Sequence, residues 1–174
     1  MNPQTNRSKN EESGFTLVEV MVSAMLVVVF FASIFELNAV CLRYINSSKE
    51  ALAALQSVQD RTETLRNLAF TDLTSTAFVQ GIMAAPANYT PPLTPPTVFS
   101  QKAIEVIRIS KYPTPDGVTQ FTRTPNGHVA TDSLATSLGT GLVKVDVSVS
   151  WTMTVGGRVR TEQTSSLVSN GTKK

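Results

Sequence analysis

Hydrophobic and polar positions divide this chain of 174 residues into stretches with different periods. Residues 15–35 form an apolar run whose only charge is Glu19. About 20 apolar residues carry a helix across a bilayer, so the run predicts a transmembrane helix. A cleaved secretory signal has a shorter apolar core and a small-x-small site, of which Leu37-Asn38-Ala39 is a poor version. From Glu36 to Phe70 there is neither Gly nor Pro, and strong helix formers dominate. Cys41, Ile45, Ser48, Leu52, Leu55, Val58, Thr62, Leu65 and Ala69 recur at steps of three and four, one mostly apolar stripe. Asp60, Arg61, Glu63 and Arg66 fall mainly on other faces. The pattern predicts one helix from 15 to about 70, roughly 80 Å long at about 1.5 Å per residue. Its first half is transmembrane, and its amphipathic half, 36–70, needs a cover for the stripe.

Residues 71–97 break the helical period. Pro86, Pro91, Pro92, Pro95 and Pro96 favour an extended Pro-rich loop. Strand signals take over across 98–170, before a short tail at 171–174. Ala103 to Ser110 is rich in Ile and Val, and Val118–Thr124 and His128–Thr131 flank the turn signal Pro125-Asn126-Gly127. Leu142 to Val155 alternates most clearly. Val143, Val145, Val147, Val149, Trp151, Met153 and Val155 share one face, and Lys144, Asp146, Ser148, Ser150, Thr152 and Thr154 share the other. A sheet with one buried and one wet face follows. After Gly156-Gly157, a three-residue loop pairs Val155 with Val159 and Val147 with Leu167. A two-residue loop would instead place Arg158, Arg160 and Glu162 on the buried face. Burying unpaired charge is the costlier choice, so the three-residue loop is expected. The fold class is α+β, a long N-terminal helix packed on a C-terminal antiparallel β-sheet.

Composition narrows the function. Charged residues are only 16% of the chain, and 15 basic against 13 acidic residues leave a formal +2. That balance argues against a nucleic-acid partner. The single Cys41 permits no disulfide within the chain, and the single His128 makes a zinc cluster or a His-based triad improbable. Asp116, Asp132 and Asp146 lack calcium-loop spacing. No cofactor, metal or catalytic residue is expected, and the chain is not expected to be an enzyme. Cys41 reads as a packing residue, His128 as a loop residue, and Trp151 with its valine face as core.

Gly14-Phe15-Thr16-Leu17-Val18-Glu19 places a small residue at the polar-to-apolar boundary and a carboxylate just inside the run. A carboxylate at a membrane centre costs about 2.5–3.5 kcal/mol. Glu19 is therefore either near enough to the interface to reach water or partnered.

This segment resembles the type IV prepilin N-terminus. The resemblance implies a hydrophilic leader, 1–14, removed after Gly14 by a prepilin peptidase, and N-methylation of the new terminal Phe15. It also implies that Glu19 is the Glu typical of such mature chains. Its physical role follows, since Glu19 of one subunit can meet the α-amine on Phe15 of a neighbour and set axial register as well as attraction. The apolar surface from Leu17 to Phe35 faces lipid while stored and other subunits once assembled. The implied partners are prepilin peptidase, other pilin or pseudopilin subunits, an inner-membrane assembly platform and the lipid bilayer. The implied location is a single pass of the bacterial inner membrane, N-terminus cytoplasmic and C-terminal domain periplasmic, then pilus or pseudopilus.

Glu36 stands where major pilins commonly carry a helix-breaking Pro, and their C-terminal cysteine pair is missing. Glu11 and Glu12 precede the cut where basic residues are commoner. The closing segment around Trp151 and Gly157-Arg158-Val159-Arg160 resembles the last hairpin of minor pilins and minor type II secretion pseudopilins. The expected function is that of a minor type IV pilus subunit, a class that includes the kind called pilus modification proteins. The alternatives are a minor pseudopilin of a type II secretion system and, from another class, a membrane-tethered periplasmic binding or enzymatic domain.

Overall fold

The computed structural model describes residues 16–84, 99–133, 138 and 141–171. Gly14, Phe15, the leader and the Pro-rich stretch 86–97 lie outside the described residues. The chain divides into two units, residues 1–42 and 43–174.

Helix α1 runs unbroken over Leu17–Arg66. Thr16 caps it, for its Oγ1 accepts a hydrogen bond from the Glu19 N–H at 3.3 Å. Thr16-x-x-Glu19 is thus the spacing of a capping box, with an acidic side chain in the first turn, where the helix dipole favours it. The helix ends four residues before Phe70. Its last turn tightens as the Leu68 N–H reaches the Leu65 carbonyl, 3.3 Å away. The region expected as a loop from 71 opens with two short helices, α2 (Phe70–Leu73) and α3 (Thr76–Met83). They turn Leu73, Val79 and Met83 into the core.

Five strands follow: β1 (Ala103–Lys111), β2 (Thr119–Arg123), β3 (Val129–Ser133), β4 (Leu142–Thr152) and β5 (Val159–Ser169). They form one antiparallel sheet in the order β3-β2-β1-β4-β5. Each expected strand is present. Asn126-Gly127 turns the β2–β3 hairpin, where Gly127 has φ +81° and the Thr124 N–H bonds the His128 carbonyl at 2.9 Å. The alternation in β4 holds, with Val143, Val145, Val147, Val149 and Trp151 buried. Trp151 meets Phe99 edge to face at 5.6 Å, and Ile107, Ile109 and Phe121 extend the same apolar face.

The β4–β5 register differs from expectation. Thr152 pairs with Val159, Val147 with Thr164, and Lys144 with Leu167. The Met153 N–H bonds the Arg158 carbonyl at 2.9 Å, so the loop is Thr154–Gly157, with Gly156 and Gly157 both at positive φ. Arg160 and Glu162 therefore share the face of Trp151 and Val149, which the expected register avoided. The physical reason is that β5 is an edge strand. Arg160 is exposed and Glu162 half-buried, so neither charge is stripped of water, and the anticipated cost does not arise. Val159 and Leu167 turn to the outer face, 68% and 51% exposed.

The face that α1 lays on the sheet keeps Val58 and Leu65 of the predicted stripe but not its N-terminal part. Glu50, Ala54, Ser57, Val58, Arg61 and Leu65 are buried, whereas Ile45, Leu52 and Leu55 are exposed. Two charged clamps explain the choice. Arg61, only 3% exposed, meets Glu105 of β1 at 2.6 Å. Glu50 accepts from Lys102 Nζ and Thr154 Oγ1, and from the Thr154 N–H at 3.2 Å. Ala54 and Ser57 lie between the clamps with Val58 and Leu65 beside them, so the sheet takes a face of mixed small, apolar and paired-polar side chains.

Candidate assembly interface

The first-turn site is built by local sequence. Thr16 stops the backbone at the N-cap, and Glu19 falls at the third helical position, exposed on α1. Gly14 and Phe15 lie outside the described residues, so of the three expected site residues only Glu19 has a described position. The capping spacing Thr16-x-x-Glu19 is legible in the sequence, since a Ser or Thr three residues before a Glu at a helix start is a local signal. Beyond it, α1 carries Leu17, Val18, Val20, Met21, Val22, Met25, Leu26 and further large apolar side chains in the open. Mean hydropathy reaches 2.5 over a stretch of this helix long enough to cross a membrane, and none of that stretch is buried. A contiguous exposed apolar surface of this size marks a membrane or protein partner.

In residues 43–174, α1 has two unlike faces. One is committed to the sheet through Ala54, Val58, Leu65 and the two clamps. Nearly opposite, Ile45, Leu52 and Leu55 form an apolar stripe that leads on to Gln59, Thr62, Glu63 and Arg66. Of the stripe expected from the sequence, Val58 and Leu65 turn to the sheet, while Ile45, Leu52 and Leu55 do not.

The sheet-side charges are ordered by their partners. Burial works to raise the Glu50 carboxyl, but the donors from Lys102 and Thr154 outweigh it and hold the group below the usual glutamate range. Arg123 lies opposite Glu105 across β1 and β2. Desolvation lowers its affinity for the proton, Glu105 opposes that, and Arg61 adds to it. Sequence reasoning missed Arg61, Glu105 and Arg123 as a group, because only the tertiary fold brings a helix residue beside two strand residues. Among the described residues no group of three His, Cys, Asp or Glu side chains is placed to hold a metal ion. Cys41 is exposed on α1.

Residues 9–35 match the prokaryotic N-terminal methylation motif. Comparison with curated proteins and with solved structures gives no match. The motif implies processing by prepilin peptidase and assembly with other pilins, and together with the apolar helix it fits a protein anchored in the inner membrane. This motif heads a long exposed apolar helix that an antiparallel sheet follows, so the chain carries the N-terminal signature of type IV pilin-like proteins, and that signature supports a place among them.

Proposed function

We propose that the protein is a minor structural subunit of a type IV pilus. On this reading it is stored in the inner membrane with its N-terminus cytoplasmic and its sheet periplasmic. It is then cut after Gly14, N-methylated on Phe15 and assembled through α1. The observation that carries the reading is the methylation motif at the head of a helix whose apolar surface is exposed among the described residues. Assembly removes that surface from lipid without exposing it to water, so a stored and an assembled state are both tolerable.

The subunit role is structural rather than catalytic, as one His and one Cys in the whole sequence already argue. The minor assignment rests on Glu36 at the place of the usual Pro and on the missing cysteine pair. Glu19 gains a partner in the α-amine of a neighbouring Phe15 where water is scarce.

The test combines two measurements. Intact mass and N-terminal sequencing of the protein from cells should find N-methyl-Phe15. Sheared filaments should contain it at a small fraction of the major subunit, and Glu19→Ala should be cut and inserted normally yet be depleted from them. A mature chain beginning at Met1, or full activity as a monomer, would point to a tethered periplasmic domain. Recovery only with secretion-system components would make it a pseudopilin.

A further inference from the structure

The two outer edges of the sheet are treated differently. At β3, the Gln80 side chain of α3 donates to the Val129 carbonyl at 3.3 Å, on the side turned away from β2. At β5, no strand or helix pairs with the outer edge among the described residues. β5 is eleven residues long, and Gln163–Ser169 contains no charge and no Pro. Exposed edges are ordinarily blunted by charge, Pro, bulges or a covering element, and this stretch has none of them.

Its free hydrogen-bonding groups can be assigned. The Met153 N–H bonds the Arg158 carbonyl at 2.9 Å, and the Asn170 N–H bonds the Gly141 carbonyl at 2.8 Å, both in the register of the β4–β5 ladder. Alternation then turns the main-chain groups of Glu162, Thr164, Ser166 and Val168 toward β4. Those of Thr161, Gln163, Ser165 and Leu167 point outward.

Beside this edge lies a groove. Two concavities of about 530 and 510 Å³ share Arg66 and follow one another along β5 from Thr164 to Gly171. The helix wall is Gln59, Asp60, Thr62, Glu63 and Arg66, the polar end of the stripe that begins at Ile45, so the groove continues the exposed assembly face of α1. Arg66 is paired to Glu63 at 2.9 Å, while Asp60 has no ion-pair partner among the described residues. The groove therefore keeps a negative charge beside an unpaired strand.

We infer that the outer edge of β5, with the α1 wall beside it, is a strand-addition site for an extended segment of a neighbouring pilin-like subunit, uncharged except for one basic side chain that it brings to Asp60. The main chain of that segment bonds Thr161, Gln163, Ser165 and Leu167, as added strands do, and the basic group fixes its register. This rests on the filament reading above, and the experiment separates the two.

Filaments and detergent-solubilised unassembled protein, both full-length, are compared by hydrogen exchange across residues 159–171. If the protein is absent from filaments, the filament reading fails and the site with it. If it is present, exchange at Gln163, Ser165 and Leu167 should slow at least tenfold on assembly, and unchanged exchange would overturn the site alone. The same slowing in concentrated unassembled protein would assign the edge to a second copy and overturn the stated partner. Gln163→Pro with Leu167→Pro removes two outward donors and leaves the β4 ladder intact. Incorporation should fall at least tenfold at an unaltered melting temperature. Normal incorporation of the folded variant would also overturn the site.

Discussion

Arg61 and Glu105 meet through two hydrogen bonds, Nε to Oε1 at 2.6 Å and Nη2 to Oε2 at 3.2 Å, with both side chains almost wholly shielded from water. The remaining guanidinium nitrogen donates to the Ile82 carbonyl at 3.1 Å, so one side chain joins α1, β1 and α3. Arg123 beside the pair adds a second positive charge that Glu105 also faces. Glu105→Ala would leave two buried guanidinium groups without their shared carboxylate. Its unfolding free energy should fall by about 3–5 kcal/mol in urea titration. A loss below about 1 kcal/mol would mean that water already reaches the pair.

Glu50 gives the second clamp a pH dependence with a definite sign. Its carboxyl is held below the ordinary value of 4.5 in the folded chain, so its contribution is present above that value. It is lost as the pH falls through the lower folded value. Stability measured from pH 6 downward should therefore decline below about 4.5 more steeply in the wild type than in Glu50→Gln. Parallel curves for the two proteins would remove Glu50 from the acid response.

The two faces of α1 should separate cleanly by mutation. Leu52 and Leu55 are 60% and 44% exposed, so Leu52→Ser with Leu55→Ser should change the unfolding free energy by no more than about 0.5 kcal/mol per site. Filament incorporation should fall. Ala54→Leu, on the sheet-facing side, should instead cost about 1–3 kcal/mol by overpacking, whatever the assembly state. Equal effects from both faces in urea titration would contradict the division.

Gly156 and Gly157 sit at φ +80° and +61° with open space where a Cβ would go. Any penalty there is conformational rather than steric. Gly156→Val should destabilise by about 1–2 kcal/mol, and Gly157→Asn by clearly less, since Asn visits the left-handed region more readily. Thermal unfolding of the two variants checks the order.

What the sequence revealed was set by how local each signal is. The apolar run, the strand β4 and the Asn126-Gly127 turn are written in neighbouring residues and all three are present, though β4 ends at Thr152 rather than Val155. The leucine stripe was also real, yet its periodicity does not say which neighbour covers it. Hydrophobicity favoured Leu52 and Leu55 for the core; shape and pairing gave the place to Ala54, Ser57, Glu50 and Arg61. The β5 register failed for a related reason. The expected pairing assumed a fully covered sheet, and at an uncovered edge Arg160 and Glu162 keep their water. Glu19 stands out as the lone charge in an apolar run, while its link to the Thr16 cap rests on a three-residue spacing.

The unequal edges of the sheet have a consequence for how far pairing can spread. A sheet open on both sides can recruit strand after strand, each addition recreating the vacancy it filled, and this is how ribbons grow without limit. Here Gln80 closes the β3 side, so a copy docked at β5 presents no fresh edge of the same kind to the next. Strand pairing in this fold is self-terminating. On the filament reading, one neighbouring segment can then add at β5 without starting a ribbon of further strands.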